Sequence, residues 1–372
     1  MNREMIGGAL KGYGTYGCVF QPALLCRGSK NPTDLNKVGK VTGYVDAKNE
    51  IKIAKYLQTL ANSNKYTIYP EASSCVPRAK SKQVDEDIDD CPFLEKVDLR
   101  HSIQLVMPLG GEPLSRINLN PSGFNFLKFM ENILSIGTFL IVNDICHFDV
   151  WGQNFLFDKQ NAAKLIDFGF AFRPSKLESS DLSLRWREIG FDHDTETPEV
   201  TLMLVSHQKG NVADAIESMK REKPVLQVLS TVCGLSLDVW GQHLKKWTQD
   251  SQSFQQRNWL NCWKTYWPGF DSWSMGAIFA KILEIQLRFP EFQQSQMWKT
   301  KGNLIKRVLV SMCHAHPAYR IDAAEALYYL SEGKHPLVSK PSDVSDVSDV
   351  SESISDNAYE WIQEKKAGRL SL

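Results

Sequence analysis

The stretch His147–Asn154 reads His-Phe-Asp-Val-Trp-Gly-Gln-Asn, and the apolar run Phe155–Phe157 follows it at once. A second acidic pattern, Leu165–Gly169, reads Leu-Ile-Asp-Phe-Gly and has its aspartate eighteen residues after Asp149. A polar turn separates the two apolar runs, which predicts a hairpin of two short strands. Each pattern alone is weak, but both at this spacing between strand-like runs form a strong signal.

The residue types in these two patterns suit phosphoryl transfer. A carboxylate at Asp149 can accept or orient the proton of an attacking hydroxyl group. Asn154 and Asp167 offer the oxygen ligands that Mg²⁺ prefers, and such ions neutralise the phosphates of ATP. Asp149 is therefore the candidate catalytic residue. Asn154 and Asp167 are the candidate ligands for Mg²⁺, with Mn²⁺ as an alternative ion.

A glycine-rich segment near the start of the chain fits the pattern G-x-G-x-x-G-x-V, with Gly12, Gly14, Gly17 and Val19 at its fixed positions. Glycines allow a strand–turn–strand backbone to lie close over phosphates that side chains would exclude. A lone glycine-rich turn is weak, but its place ahead of the other patterns strengthens it. These four residues are candidate nucleotide contacts.

A predicted strand at Lys37–Val41 and a predicted amphipathic helix at Asn49–Leu57 come next. In phosphotransferases of this kind, a strand lysine held by a helix glutamate reaches the α- and β-phosphates of ATP. We assign these roles to Lys40 and Glu50. Lys37 stays open as the lysine, because the sequence around Lys40 departs from the V-A-I-K pattern. Two solvated charges are the simpler interpretation, since charged residues are mostly exposed.

Residues 61 to 99 are polar and irregular, and the acidic run at 85–90 is interpreted as a solvated loop. An apolar strand at Ser102–Met107 then runs into a connector rich in proline and glycine. Such a connector suits a link between two lobes, where backbone groups can bond an adenine edge. Met107 would line the nucleotide pocket, although methionine at a strand end is more often plain core, and Glu112 would meet the ribose.

A helical stretch at 124–142 leads to the first motif, and three weaker patterns follow the acidic motifs. Thr197–Glu199 closes a segment rich in serine, threonine and charge, Asp271–Gly276 reads D-S-W-S-M-G, and His316–Arg320 reads H-P-A-Y-R. Six tryptophans lie between residues 240 and 273. We interpret them as core aromatics of a helical lobe, with a substrate-docking surface as the alternative, because large aromatics dominate buried area.

In this order the motifs resemble those of eukaryotic-type protein kinase domains. Within that family they are most similar to the divergent kinases of large DNA viruses. The resemblance runs from residue 12 to residue 320. It implies an α+β fold of two lobes, a small β-rich N-lobe and a larger helical C-lobe, with ATP in the cleft between them. It also implies that Asp271 bonds the backbone of the catalytic loop and that Arg320 pairs with Glu199.

The resemblance divides the chain into three parts. The predicted N-lobe is 1–107, and the predicted C-lobe is 108–336, with an insertion at about 201–267. The tail 337–372 carries a threefold Ser-Asp-Val repeat at 342–350, which indicates disorder, and a possible short helix near its end.

Three positions depart from the kinase pattern. Phe148 replaces the arginine that grips a phosphorylated activation loop, so ordering through an arginine–phosphate pair is not expected there. Trp151 stands where Ser/Thr kinases carry a lysine that touches the transferring phosphate. Gln153 stands where tyrosine kinases carry an arginine. Loss of one cation raises the barrier without abolishing a reaction whose transition state is stabilised by several cations and by positioning.

The leading hypothesis is an ATP-dependent serine/threonine protein kinase that uses Mg²⁺ and acts on protein substrates. A pseudokinase scaffold that binds nucleotide is the first alternative, favoured by Trp151. A small-molecule or lipid kinase is the second, and the patterns at Thr197–Glu199, Asp271 and Arg320 speak against it.

Composition narrows the remaining classes. Lysine plus arginine and aspartate plus glutamate both number 43, so no net field favours nucleic acid. The eight cysteines show no paired spacing, and we expect reduced thiols. No run reaches the roughly 18 apolar residues of a membrane span. We therefore expect an intracellular, cytoplasmic monomer, in the host cytoplasm or virion if viral.

Overall fold

The structure, a computed structural model, describes residues 8–14, 17–28, 34–71, 74–83, 86–341 and 357–370. The chain divides into two compact units. Unit 1 comprises Met1–Glu112 and Lys164–Ala171, and unit 2 comprises Pro113–Ala163 and Phe172–Leu372. The protein is of mixed α+β class: unit 1 carries an antiparallel sheet and unit 2 is mostly helical.

Unit 1 is built on four antiparallel strands in chain order. The strands are β1 (Ala9–Gly14), β2 (Gly17–Gln21), β3 (Lys37–Thr42) and β4 (Ile103–Pro108). Its helices are α1 (Tyr44–Leu57), α2 (Ser63–Tyr66) and α3 (Pro92–Lys96). The strands predicted around Lys40 and Met107 and the helix that carries Glu50 are confirmed.

The segment between α1 and β4 packs on this sheet. Ile88 is 2% exposed and joins Cys18, Phe20 and Val41 in one apolar cluster. Ile88 lies in a 3₁₀ helix, Glu86–Asp90, in which Asp89 and Asp90 are exposed, so this part of the acidic run is solvated as predicted but is a short helix with one buried residue. Burial of one isoleucine offsets the polarity of its neighbours, which a count of charges does not detect.

Two disulfides fasten the same segment. Cys18 of β2 bonds Cys91, and Cys26 bonds Cys75, across 73 and 49 residues of sequence. The prediction that all eight cysteines are reduced thiols is therefore wrong for these four. Short spacings between cysteines predict only metal or redox sites formed by neighbouring residues. These disulfide partners are far apart in sequence and come together when the segment packs on the sheet. Cysteine usage thus gives no support for a reducing compartment.

Unit 2 is a helical body with short strands at its border. The remaining strands are β5 (Glu112–Pro113), β6 (Phe155–Phe157) and β7 (Ala163–Leu165). The helices are α4 (Phe126–Val142), α5 (Ser179–Leu182), α6 (Pro198–His207), α7 (Val212–Glu222), α8 (Pro224–Cys233), α9 (Leu237–Asp250), α10 (Gln252–Gln255), α11 (Trp259–Tyr266), α12 (Pro268–Gln286), α13 (Pro290–Gln294), α14 (Gln296–Met312), α15 (Ala323–Leu330) and α16 (Tyr359–Leu370).

Helix α12 is the centre of this body, where it packs against α4, α8 and α14. All six tryptophans between residues 240 and 273 are buried, which confirms them as core aromatics. Glu199 and Arg320 form a bidentate ion pair at 2.6 and 2.8 Å, and both side chains are fully buried. A buried pair of this kind fixes the start of α6 to the segment before α15, because neither charge is tolerated alone.

The chain end returns to unit 2. Trp361 of α16 donates its indole N–H to Asp322 at 2.8 Å, and Ile362 is fully buried. The Ser-Asp-Val repeat at 342–350 lies outside the described residues, so its disorder stays a prediction. Within the described part of the chain, no helix has the length and apolar character needed to cross a membrane.

Loss of the Cys18–Cys91 bond should lower the stability of unit 1. A bond that closes a loop of this length restricts the unfolded chain, so Cys18→Ser should reduce the free energy of unfolding by about 2–4 kcal/mol. A urea titration monitored by far-UV circular dichroism measures this change. Cys233→Ser, at a free and half-buried cysteine, is the control. Equal loss in both variants would contradict the assignment.

Candidate functional site

The predicted lysine and glutamate of unit 1 meet. Lys40 Nζ lies 2.8 Å from Glu50 Oε2 and 2.6 Å from Asp167 Oδ1. Burial by itself lowers the pKa of Lys40, but the attraction of the two carboxylates outweighs it and the net pKa is raised. Lys40 is therefore a cation fixed between a helix glutamate and the aspartate of the second motif.

Lys37 takes a different partner. It forms an ion pair with Glu71 at 2.7 Å, and both side chains are about one-third exposed. Residues three apart on a strand point to opposite faces, so only one of the two lysines can face α1. The geometry selects Lys40, the choice that the sequence left open.

The departure from V-A-I-K before Lys40 has a steric cause. A Cβ at Gly39 would lie 2.2 Å from the side-chain oxygen of Gln104. Gln104 is fully buried in β4 and bonds both the N–H and the C=O of Leu24, each at 2.8 Å. The glutamine fills the space that a larger residue at position 39 would occupy, so the unusual strand sequence still delivers Lys40 to α1.

Asp167 adopts a left-handed backbone conformation, with φ of 66°. The segment after it is tied to α1, because the Asn49 side-chain amide donates to the carbonyls of Gly169 and Ala171 at 2.7 and 3.0 Å. Sequence reasoning did not find Asn49. Its position one residue before Glu50 is the only signal for it in the chain.

The glycine-rich hairpin is shaped by β3. A Cβ at Gly17 would lie 2.2 Å from the carbonyl oxygen of Val41, so packing demands glycine there. At Gly12 and Gly14 a Cβ would meet no described atom within 4 Å, so packing within the described residues does not demand glycine at either. The hairpin tip at 15–16 lies outside the described residues.

Of the remaining nucleotide candidates, Val19 and Met107 lie on the four-stranded sheet, whereas Glu112 lies on the three-stranded sheet of β5, β6 and β7. Val19 pairs with Lys40 across β2 and β3 and is half-buried. Met107 of β4 pairs with Val38 and is buried, and Glu112 is exposed in β5.

In unit 2 the first motif forms a compact loop. The side-chain amide of Asn154 donates to the carbonyl oxygen of Asp149 at 2.9 Å and lies 3.3 Å from Asp149 Oδ2. Because the amide nitrogen of Asn154 faces Asp149, the amide oxygen points away from Asp149 and stays available as a metal ligand. Asp149 keeps a side-chain exposure of 25%, so a substrate hydroxyl can reach it.

The loop is held by Asp271, in the first turn of α12. Its two carboxylate oxygens accept hydrogen bonds from the backbone N–H groups of His147 and Phe148 at 2.7 and 2.8 Å. Burial raises the pKa of Asp271. The charge interaction with His147 and the hydrogen bonds from the backbone N–H groups of His147 and Phe148 oppose that rise. Phe148 itself has φ of 63°, a strained value for a bulky side chain.

An arginine that sequence reasoning missed completes this loop. Arg187 Nη2 lies 2.7 Å from Asp149 Oδ1 and 3.1 Å from the Phe148 carbonyl oxygen. Its guanidinium also lies over the Phe148 ring, 5.4 Å from the centroid. No motif marks Arg187, since it comes from the segment between the second acidic motif and Thr197.

The two unusual residues of the loop carry no positive charge. Trp151 is 45% exposed, and Gln153 accepts a hydrogen bond from the Ser115 hydroxyl at 3.2 Å. Both replacements therefore leave Arg187 as the cation that the described structure places on Asp149.

The segment that supplies Arg187 is held by protein contacts. Arg173 pairs with Asp144 at 3.2 Å, and the buried Arg185 donates to the carbonyl of Asp181 at 2.7 Å. Further on, Trp273 donates its indole N–H to the carbonyl of Asp194 at 2.8 Å. These bonds use charges and carbonyls already present in the chain.

The two predicted metal ligands, Asp167 of unit 1 and Asn154 of unit 2, are oxygen donors. Among the described residues, no three histidine, cysteine, aspartate or glutamate side chains gather in a ready-made metal site. Mg²⁺ is usually bound by one or two protein oxygens together with phosphates and water. Asp167 and Asn154 each offer one such oxygen.

Comparison with known proteins adds no family. No protein-family model matches the chain, and a search of curated proteins gives no significant match.

Asp271 should control the order of the loop. Asp271→Ala removes two hydrogen bonds to a carboxylate and leaves the strain at Phe148, so the free energy of unfolding should fall by about 3 kcal/mol. Hydrogen exchange at the His147 and Phe148 amides should accelerate together. Asp238→Ala is the control, because that side chain is 82% exposed. Unchanged protection of the two amides in Asp271→Ala would refute the role given to Asp271.

Proposed function

We propose that this protein is an ATP-dependent protein kinase that transfers the γ-phosphoryl group of Mg-ATP to serine or threonine hydroxyls of protein substrates. The observation that carries the proposal is the pairing of Lys40 with both Glu50 and Asp167. Three residues separated by up to 127 positions meet in the arrangement that phosphoryl transfer needs for a phosphate-binding lysine. The whole chain then takes a two-lobed, protein-kinase-like fold.

Mg-ATP supplies the phosphoryl group and the ion that neutralises it. In the proposed reaction, Lys40 binds the α- and β-phosphates, and Asn154 and Asp167 hold Mg²⁺. Asp149 accepts the proton of the substrate hydroxyl. A bond forms between the hydroxyl oxygen and the γ-phosphorus while the bond from that phosphorus to the β,γ-bridging oxygen breaks. ADP leaves with that electron pair.

The glycine-rich hairpin supports nucleotide binding. Since described neighbours do not demand glycine at Gly12 or Gly14, close approach of a ligand is a sufficient reason for both. Met107 and Glu112 would then serve the adenine and ribose ends.

Protein substrates are favoured over small alcohols by the segment before α6. The buried pair Glu199–Arg320 fixes the end of this segment, and kinases with protein substrates use that region as the docking platform. A pseudokinase scaffold is the second candidate, favoured by the exposed Trp151 in the place of the expected lysine.

Transfer should depend on both units. With labelled Mg-ATP and a generic protein substrate, Asp149→Ala, Asp167→Ala and Lys40→Met should each lower turnover by at least about 100-fold, because each removes charge or proton acceptance from the transition state. Lys37→Met is the matched control for Lys40→Met, since Lys37 pairs with Glu71 instead.

The same assay separates the alternatives. Nucleotide binding without transfer above the Asp149→Ala level would move the assignment to a pseudokinase scaffold. Transfer to small alcohols in preference to peptides would identify a small-molecule kinase.

Activity should not require phosphate on the segment from 170 to 197. Phe148 stands in place of the phosphate-binding arginine, and the segment is already held by its own ion pairs. Enzyme treated with phosphatase, and shown by mass spectrometry to carry no phosphate there, should keep its kcat. Complete loss of turnover on dephosphorylation would contradict this expectation.

A further inference from the structure

We propose that Arg187 supplies the cation of the catalytic loop that Trp151 and Gln153 do not provide, and that it positions Asp149 for transfer. This inference rests on the proposed function. It adds Arg187, a residue outside all of the motifs, to the proposed catalytic residues. It also explains how a loop that lacks the cation of either kinase class can still work.

The first argument is the geometry around Asp149. Oδ1 of the carboxylate is held by Arg187 at 2.7 Å, and Oδ2 faces the amide nitrogen of Asn154 at 3.3 Å. Each carboxylate oxygen has two lone pairs, so one contact per oxygen leaves capacity for a substrate hydroxyl. The carboxylate is thus fixed in orientation and still able to accept a proton.

The second argument is the way in which Arg187 itself is fixed. Its guanidinium donates to the Phe148 carbonyl at 3.1 Å and lies over the Phe148 ring. That ring packs against Trp263 and Phe270, with centroids 4.6 and 5.8 Å away. An arginine at position 148 could not offer this apolar face, so the replacement of arginine by phenylalanine creates the seat for Arg187.

The third argument is access. Arg187 keeps 30% side-chain exposure and Asp149 keeps 25%, so both can face a substrate. In the proposed reaction, the hydroxyl that hydrogen-bonds to Asp149 attacks the γ-phosphorus. The phosphoryl group in transfer must therefore lie close to the Asp149 carboxylate. A guanidinium in direct contact with that carboxylate is therefore suited to stabilise the charge that spreads over the phosphoryl oxygens.

Steady-state kinetics with Mg-ATP and one fixed protein substrate test the proposal. Arg187→Ala should lower kcat by about 100-fold while the KM for ATP changes by less than about threefold, since the lost interaction acts in the transition state. Arg187→Lys should retain an intermediate kcat. In the Arg187→Ala background, Trp151→Lys should raise kcat by about tenfold, because it returns a cation to the loop by another route.

Arg221→Ala is the matched control. Arg221 belongs to the same unit, is 67% exposed, and pairs with Glu222 rather than Asp149. It should keep kcat within about threefold of wild type, and melting curves should show both alanine variants folded.

The outcomes separate the two proposals. Wild-type protein that transfers no phosphate above Asp149→Ala overturns the proposed function and this inference with it. Wild-type protein that transfers, with Arg187→Ala equal to it or faster, overturns the inference alone. A faster Arg187→Ala variant would show that the Arg187–Asp149 contact inhibits transfer. A fall in kcat of similar size in Arg221→Ala, or no rescue by Trp151→Lys, also overturns it, because the effect would then be structural.

Discussion

The candidate loop of unit 2 depends on one carboxylate. Phe148 is held with φ of 63°, a conformation that costs a bulky residue on the order of 1–3 kcal/mol. Asp271 offsets this cost, since each of its oxygens accepts one backbone N–H at the strained turn. The turn in turn sets the direction of Asp149, the next residue. Helix α12 positions Asp271, and its tight packing against α4, α8 and α14 makes that position rigid.

The strained turn also explains the aromatic cluster beside it. A left-handed residue turns its side chain out of the path of the loop, and at Phe148 that side chain lies among Phe172, Trp263 and Phe270. The ring then offers a face to the guanidinium of Arg187, which is a favourable contact for a cation. Backbone strain, apolar packing and charge placement at this loop therefore all involve one residue, Phe148.

Local patterns carried most of what the sequence could predict. The strands and the helix around Lys40 and Glu50 follow from periodicity over a few residues, whereas the pairing of Lys40 with Glu50 was predicted from the resemblance to kinases. The disulfides, the burial of Ile88 and the contact of Arg187 with Asp149 join residues 38 to 73 positions apart through tertiary packing. No local period or spacing encodes such contacts, so single-sequence reasoning missed all three. Gly39 is intermediate: the unusual residue was visible, but its cause, the Gln104 side chain, was not.

The two units hold their candidate acids in a similar way. In unit 1 the candidate acid Asp167 itself has a left-handed backbone, with φ of 66°. In unit 2 the candidate acid Asp149 directly follows Phe148, which has a left-handed backbone. Each strained backbone is secured by a polar side chain from a helix, Asn49 of α1 in unit 1 and Asp271 of α12 in unit 2. Each acid also contacts a cation, Lys40 or Arg187. This shared arrangement is the physical basis for the proposal that these two acids take part in the chemistry, because strained backbone that the surrounding structure holds in place often lies at functional sites.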